Sequence, residues 1–429
     1  MRVLITSPPG AGHLFPLVPL AWALRAAGHD VLVATTAEGL AGAAHAGLPT
    51  VDVAPGAPVA GVFGTGTPAE WTERMRRRGL RIAAAGSRID PLLLETFGRI
   101  ADLMADGTLA VARWWRPDLI VHSRLHPVGP LVARALRVPA VEHGFNLLRE
   151  QTLATRFLPW LAAAYRRLGV PLELPERVVL HLAPAELMIG DGDGWPMRYV
   201  PYNAGGTLPD WLRRPADRPR VLITLGTVVP ALAGLSGLRR TIDAAADVDA
   251  EFVLTVAEGD APGDGGRGDD TDPVGLGPLP GNVRVTGWLP LAPALAACAA
   301  VVHHGGSGTM MTALGGGVPQ LVLPHGADQF VNAALVVRHR LGLRADPDAV
   351  TADLLAALLA GGPATSGVDR AARLMAALPP PAVTAAQLTD PVAAGTTAPA
   401  PAATGTTAPA PAATGTTAPA PAVTSAQVL

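Results

Sequence analysis

The sequence predicts an α/β protein of two doubly wound, Rossmann-like domains that face one cleft. Three observations carry that reading. Short β-branched apolar runs alternate with Ala/Leu/Arg-rich helical stretches along most of the chain, the alternation that builds a parallel sheet with crossover helices. One opening, an apolar run followed by a glycine turn and a helical pattern, occurs twice: at Arg2–Ser7 with Pro9-Gly10-Ala11-Gly12, and at Arg220–Leu225 with Gly226-Thr227. Between the halves, the stretch from Pro201 to Pro215 is rich in Gly, Pro and charge, as an interdomain connection is.

In the first half the strands expected after Arg2–Ser7 are Asp30–Thr36, Asp118–His122 and Pro139–His143, separated by helical stretches such as Pro16–Ala27 and Gly129–Arg137. In the second they are Glu251–Ala257, Asn282–Trp288, Ala300–His303 and Pro319–Leu323. These elements divide the chain into a first domain over 1–205, a linker over 206–218 and a second domain over 219–380. Residues 381–429 are expected to form a disordered tail, because Gly395–Thr424 repeats a Gly-Thr-Thr-Ala-Pro-Ala-Pro-Ala-Ala-Thr unit with no large apolar side chain to bury. In doubly wound sheets ligands bind beyond the carboxyl ends of the strands, so chemistry belongs on the loops that follow these runs.

Composition narrows the chemistry. The 429 residues carry 33 basic and 35 acidic side chains, a formal charge of −2, which offers no footprint for nucleic acid or an acidic membrane face. Arginine supplies all 33 basic residues, so Schiff-base catalysis, a pyridoxal phosphate site and a P-loop lysine are excluded. Cys298 is the single cysteine, which excludes an intramolecular disulfide and a thiolate metal cluster and fits a reducing, cytoplasmic setting. No run of about 18 apolar residues is free of charge, Pro or Gly, and the N-terminal apolar run is too short for a signal-peptide core. Neither a membrane span nor export by that route is expected.

Candidate site residues lie at expected strand ends. After Val301-Val302-His303, the turn His304-Gly305-Gly306-Ser307-Gly308-Thr309 leads into a helical run at Met310–Leu314. Free amides at a helix N-terminus suit a phosphate or diphosphate, and His304 can donate one more bond to it; a tight turn capped by Ser or Thr is the structural alternative. About twenty residues on, Asp328 and Gln329 follow another strand and match the donor and acceptor needs of sugar hydroxyls, Asp328 as an N-cap being the alternative. Trp288, beside Leu289, offers an indole to a nucleobase, or a core side chain. In the first half, Gly12-His13-Leu14-Phe15-Pro16 sets His13 on the first strand-to-helix loop, where a histidine can take a proton near neutral pH.

Together these residues resemble the nucleotide-sugar-dependent glycosyltransferases of the two-Rossmann-domain (GT-B) type, in particular the actinomycete natural-product enzymes. The resemblance covers roughly the first 380 residues and rests on Gly12–Pro16, Met197–Asn203, Leu225-Gly226-Thr227, His304–Thr309 and Asp328-Gln329. It implies an enzyme that transfers a sugar, a hexose of the deoxy class, from a nucleoside diphosphate to an acceptor, with inversion and without a metal. By that resemblance the first domain binds a hydrophobic acceptor such as a polyketide or macrolide, and His13 is the general base. His304, Ser307, Gly308 and Thr309, with Thr227, hold the diphosphate; Trp288 and the Leu289 backbone hold the base; Asp328 and Gln329 hold the sugar. The nucleotide sugar is a co-substrate and no cofactor is implied; association as a homodimer is left open.

The chain departs from the family at two positions. Relatives often pair the histidine base with an acid on the loop after Pro117–Val121, where this chain reads His122-Ser123-Arg124-Leu125-His126; Ser123 stands in the acid's place, or another acid such as Glu142 serves. Plant relatives carry a ribose-binding Glu where Thr312 stands, and its loss suits a dTDP donor, which lacks the 2′-hydroxyl. Asp191-Gly192-Asp193 has metal-binding spacing but follows no convincing strand, so a solvated turn is expected and no metal. The acceptor walls are expected over Gly56–Arg99 and Gly144–His181, with Trp71, Phe97, Phe145, Trp160 and the run Arg74–Arg81. A sugar-nucleotide epimerase and a non-catalytic partner of the same fold remain as rivals. A dinucleotide oxidoreductase is disfavoured, since Phe15 replaces the third fingerprint glycine and Thr35-Thr36 replaces the ribose acid.

Overall fold

The computed structural model describes residues 1–59, 62, 67, 70, 73–79, 91–256, 275–326 and 328–390. Trp71, Arg81, Ala257 and the repeat tail lie outside the described residues. The first domain holds a seven-stranded parallel sheet in the order β3-β2-β1-β4-β5-β7-β9. Its strands are β1 Arg2–Thr6, β2 Asp30–Thr35, β3 Thr50–Asp52, β4 Leu119–Ser123, β5 Ala140–His143, β7 Arg177–His181 and β9 Trp195–Pro196, while β6 Leu148–Glu150 and β8 Ile189–Asp191 pair separately. The second domain holds a six-stranded parallel sheet in the order β12-β11-β10-β13-β14-β15, built from β10 Arg220–Thr224, β11 Glu251–Thr255, β12 Val283–Thr286, β13 Ala300–His303, β14 Gln320–Val322 and β15 Gly342–Arg344.

The central strands are buried along their whole length, which is why they read as apolar runs rather than as alternating patterns. In each sheet the strand order reverses beside the first strand of the domain. Thr6 of β1 lies beside His122 of β4, and Thr224 of β10 lies beside His303 of β13. Loops leaving such neighbouring strands diverge to opposite faces and open a crevice between them. His13 follows β1 at one reversal, and His304 follows β13 at the other.

Three expectations need correction. The stretch Pro16–Ala27 is not one helix: a short helix Ala11–Leu14 and a 3-10 turn Phe15–Leu17 precede Val18–Ala26, because proline at 16 and at 19 suits a first helical turn and not an interior. Asp191 is the last residue of β8, paired with Glu150, rather than part of a turn that follows no strand. Residues 381–389 are not tail: Pro381–Thr389 is a helix, with proline preset at its first turn, packed on Val18–Ala26 of the first domain. Ala385 joins the same apolar cluster as Leu17, Val18, Met197, Tyr199, Met310 and Met375, so this core runs through both domains.

An ionised carboxylate at position 385 would be buried there without a partner. Ala385→Asp is therefore expected to lower the thermal midpoint by at least ~5 °C, read by circular dichroism.

Candidate active site

At the first reversal, Gly10 adopts φ +110° and starts the helix that carries His13. The imidazole lies edge-on between Phe97 and Phe145, with ring centroids 4.9 and 5.1 Å away. Leu94, Leu125, Leu153 and Phe157 continue this apolar lining. Burial alone lowers the His13 pKa to about 4, so the ring is neutral at pH 7. Its Nδ1 is buried without a hydrogen-bond partner. Of the expected acceptor walls, Phe97 and Phe145 meet at His13, whereas Trp160 packs near Gly98 on the neighbouring helix Pro91–Trp115.

Glu142 does not serve His13. It accepts from Arg124 Nη2 at 3.3 Å and from Arg177 Nε at 2.9 Å, deep beneath the strand ends. Burial pushes its carboxyl up, but the charges of Arg124, His122 and Arg177 outweigh that and hold it below the ordinary range. Arg124 also donates to the Leu148 carbonyl. This ion cluster ties β4 to β5 and β7 and fixes the loop that starts at Ser123.

The second reversal is built around His304. The backbone turns through Gly305 at φ +91°, and Gly226, at φ +67°, approaches so closely that a Cβ there would lie 2.7 Å from the imidazole. A Cβ on Gly306 would strike the same ring. His303, fully buried, fixes the turn: Gly305 N–H donates to its Nδ1 at 3.1 Å, which puts the proton on Nε2, 2.9 Å from Gln320 Oε1. The helix Ser307–Gly316 then starts at Gly306 with no side-chain cap, and the amides of Ser307, Gly308 and Thr309 have no intrahelical partner. Burial, then the neighbouring His303 and His325, lower His304 to about 3, leaving it neutral with Nδ1 buried and unpartnered.

Around this turn the other expected residues converge. Ser307 Oγ donates to Asp328 Oδ2 at 3.0 Å, and Asn332 donates to Gly305 O at 2.8 Å and to the same carboxylate at 3.4 Å. Burial raises Asp328, and the Ser307 and Asn332 bonds work against that rise. Gln329 Oε1 accepts from the amides of His325 and Gly326 at 2.8 and 3.0 Å, bonds that do not use its amide nitrogen. Trp288 is half-buried with Nε1 unpartnered, Leu289 is buried behind it, and Thr227 stands exposed at the start of Val228–Ala233. Thr312 is turned inward: it donates to Gly308 O at 2.7 Å and lies 3.4 Å from Tyr199 and Asn203 of the connecting segment. The supporting residues His303, Gln320 and Asn332 carry no motif of their own; the i, i+4 spacing of Asp328 and Asn332 on one helix face is the sole sequence signal for any of them.

Two family domains match this chain, the N-terminal domain of the Erythromycin biosynthesis protein CIII-like family over residues 22–226 and its C-terminal domain over 239–390. The elloramycin glycosyltransferase ElmGT of Streptomyces olivaceus is 39% identical over 395 residues, which span 90% of this chain and 97% of that protein. The chain belongs to this family. It is a glycosyltransferase of the GT-B fold. The glycosyltransferase SnogD from Streptomyces nogalater is similar in structure with a TM-score of 0.73, 38% identity, and coverage of 90% of this chain and 98% of that one. The glycosyltransferase SsfS6 of Streptomyces sp. SF2575, complexed with thymidine diphosphate, gives 0.69 and 29% identity over 90% of this chain and 99% of its own. Among the described residues of this glycosyltransferase, no His/Cys/Asp/Glu group is arranged to hold a metal and no helix is long and apolar enough to cross a membrane.

Two outcomes are expected. Gly306→Ala crowds His304 and should weaken binding of thymidine diphosphate at least ~10-fold by calorimetry. His13, His122, His143 and His303 are lowered to about 4, and His126 and His304 to about 3, each chiefly by burial. Between those values and the ordinary 6.5, the unfolded chain binds more protons than the folded one. Urea midpoints should therefore fall steadily as the pH is lowered from 6.5 toward 4 and be flat above 7.

Proposed function

We propose that this glycosyltransferase moves a deoxysugar from a dTDP donor to a hydroxyl of a hydrophobic natural product, a polyketide or macrolide, in one inverting displacement without a metal. The observation that carries the reading is the pair of histidines at the two strand-order reversals, one in an apolar lining and one over a helix N-terminus. His13 Nε2 takes the proton of the acceptor hydroxyl as its oxygen bonds to the anomeric carbon. The bond from that carbon to the diphosphate breaks, and the diphosphate leaves with the electron pair. The amides of Ser307, Gly308 and Thr309, the positive end of their helix and a neutral N–H donor from His304 stabilise the charge that develops on it.

Thr227 contacts the diphosphate from the β10 loop in this reading. Trp288 stacks on the thymine with the Leu289 backbone alongside, and the free oxygen of Asp328 and the amide nitrogen of Gln329 grip the sugar. Inward-facing Thr312 offers no carboxylate to a ribose 2′-hydroxyl, which favours dTDP over UDP, and the thymidine diphosphate complex of SsfS6 supports that choice. The phenylalanines against His13 support an aromatic or aliphatic acceptor. The domain roles follow: acceptor binding in 1–205 and donor binding in 219–380.

His13→Ala is expected to lower kcat at least ~100-fold, with dTDP-glucose and a panel of hydroxylated polyketide aglycones, while leaving the dTDP affinity within about twofold. His304→Ala should weaken dTDP at least ~10-fold, and EDTA should change neither rate nor affinity. A His13→Ala enzyme with full activity would sink the assignment of the base.

A further inference from the structure

Among the described residues, no carboxylate bonds to His13 in the way that one orients a histidine base elsewhere. Burial lowers its pKa, no acidic side chain among the described residues works against that, and Glu142 is taken by two arginines. On the loops that leave β1 and β4, buried polar atoms nonetheless stand unpartnered: His13 Nδ1, Ser123 Oγ, and both ring nitrogens of His126. His126 is fully buried. An imidazole with neither nitrogen bonded, in a fully buried position, is a costly arrangement unless it has a use.

Local structure brings these groups to one place. His13 follows β1 and Ser123 ends β4, the two neighbouring strands at the first reversal. The His126 amide returns to the Ser123 carbonyl at 2.8 Å, which folds Ser123–His126 into a tight turn over the strand end. Leu125, within that turn, packs in the same cluster as Phe97 and Phe145, the two rings that sandwich His13. His126 lies within electrostatic reach of both His13 and His122.

We infer that His126, with Ser123 beside it, is the positioning residue for His13: an unprotonated ring nitrogen of His126 accepts the Nδ1–H of His13 through one water bonded to Ser123. The inference rests on His13 being the base. A neutral acceptor fixes which nitrogen of His13 carries the proton and so turns the Nε2 lone pair to the acceptor hydroxyl. Unlike a carboxylate, it adds no negative charge, so His13 stays a weak base in its apolar setting. The titratable groups around the pair are His122 on β4, His143 on β5 and the Arg124–Glu142–Arg177 cluster beneath them; none of these bonds to either ring.

The test is a pH titration of the full chain labelled with ¹⁵N-histidine, in which the ring-nitrogen shifts report the tautomer and pKa of His13 without any ligand. Wild type is expected to hold a single Nδ1–H tautomer. His126→Phe should mix the tautomers and lower the rate of dTDP-glucose hydrolysis roughly 10- to 100-fold, with KM for the donor within about twofold. His126→Gln, whose carbonyl can still accept, should recover most of both. Ser123→Asp, which restores a carboxylate, should raise the His13 pKa by at least ~1. Unchanged tautomer and rate in His126→Phe, while His13→Ala is inactive, overturn the inference and leave the base assignment standing. Activity in His13→Ala removes the base assignment itself. If His126→Phe does not fold, Ser123→Asp decides: an unmoved His13 pKa places no partner site beside His13 and overturns the inference.

Discussion

Strand order is the constraint on which the rest of this structure depends. Each sheet is parallel and adds its later strands on both sides of the first, so the crossovers on one side and those on the other pass over opposite faces, and the loops of β1 and β4, or of β10 and β13, part at their carboxyl ends. Those partings hold His13 and His126 in one domain and Thr227 and His304 in the other. The apolar character of the strands is what makes this durable: they are buried on both faces, and their polar ends emerge where the hydrophobic layers stop.

Rigidity at the two partings has different origins. In the first domain a buried carboxylate shared by two arginines clamps three strand ends together, an arrangement in which removing Glu142 would leave two arginine charges without their carboxylate. In the second, shape does the work: two glycines, Gly226 and Gly306, admit one imidazole, and a second imidazole with its glutamine fixes the Gly305 peptide between them. The first device leaves the loop above it populated by neutral, weakly basic histidines, while the second leaves amide hydrogens uncovered at a helix end. In the proposed reading, proton acceptance and anion stabilisation thereby fall on opposite sides of one cleft by local chemistry rather than by the fold as such.

Much of this was readable in advance. The central strands, and the places of His13, His304 and the pair Asp328-Gln329 beyond strand ends, are legible because buried parallel strands leave continuous apolar runs and because glycine turns mark where they end. The short strands β3, β9 and β15 at the sheet margins were not, since two or three residues carry no period. Pro381–Thr389 looked like the repeat that follows it, because Ala, Pro and Thr compose both; what separates them is burial of Ala385 against the first domain, a tertiary fact. The fate of Glu142 was equally hidden, since its arginine partners come from the loop after β4 and from β7, 18 and 35 residues away. His126 carries no motif, and its importance lies in bonds it does not make within the protein.

The return of the chain end to the first domain makes the second domain an insertion, entered near Tyr199 and left near Pro379. The two crossing segments touch, with the Arg198 amide bonded to the Pro379 carbonyl at 2.7 Å. The domains are thus joined by two chain crossings and not by a single tether. During synthesis the same topology sets an order of assembly: the first domain cannot cover the outer face of its Val18–Ala26 helix until the second has been made.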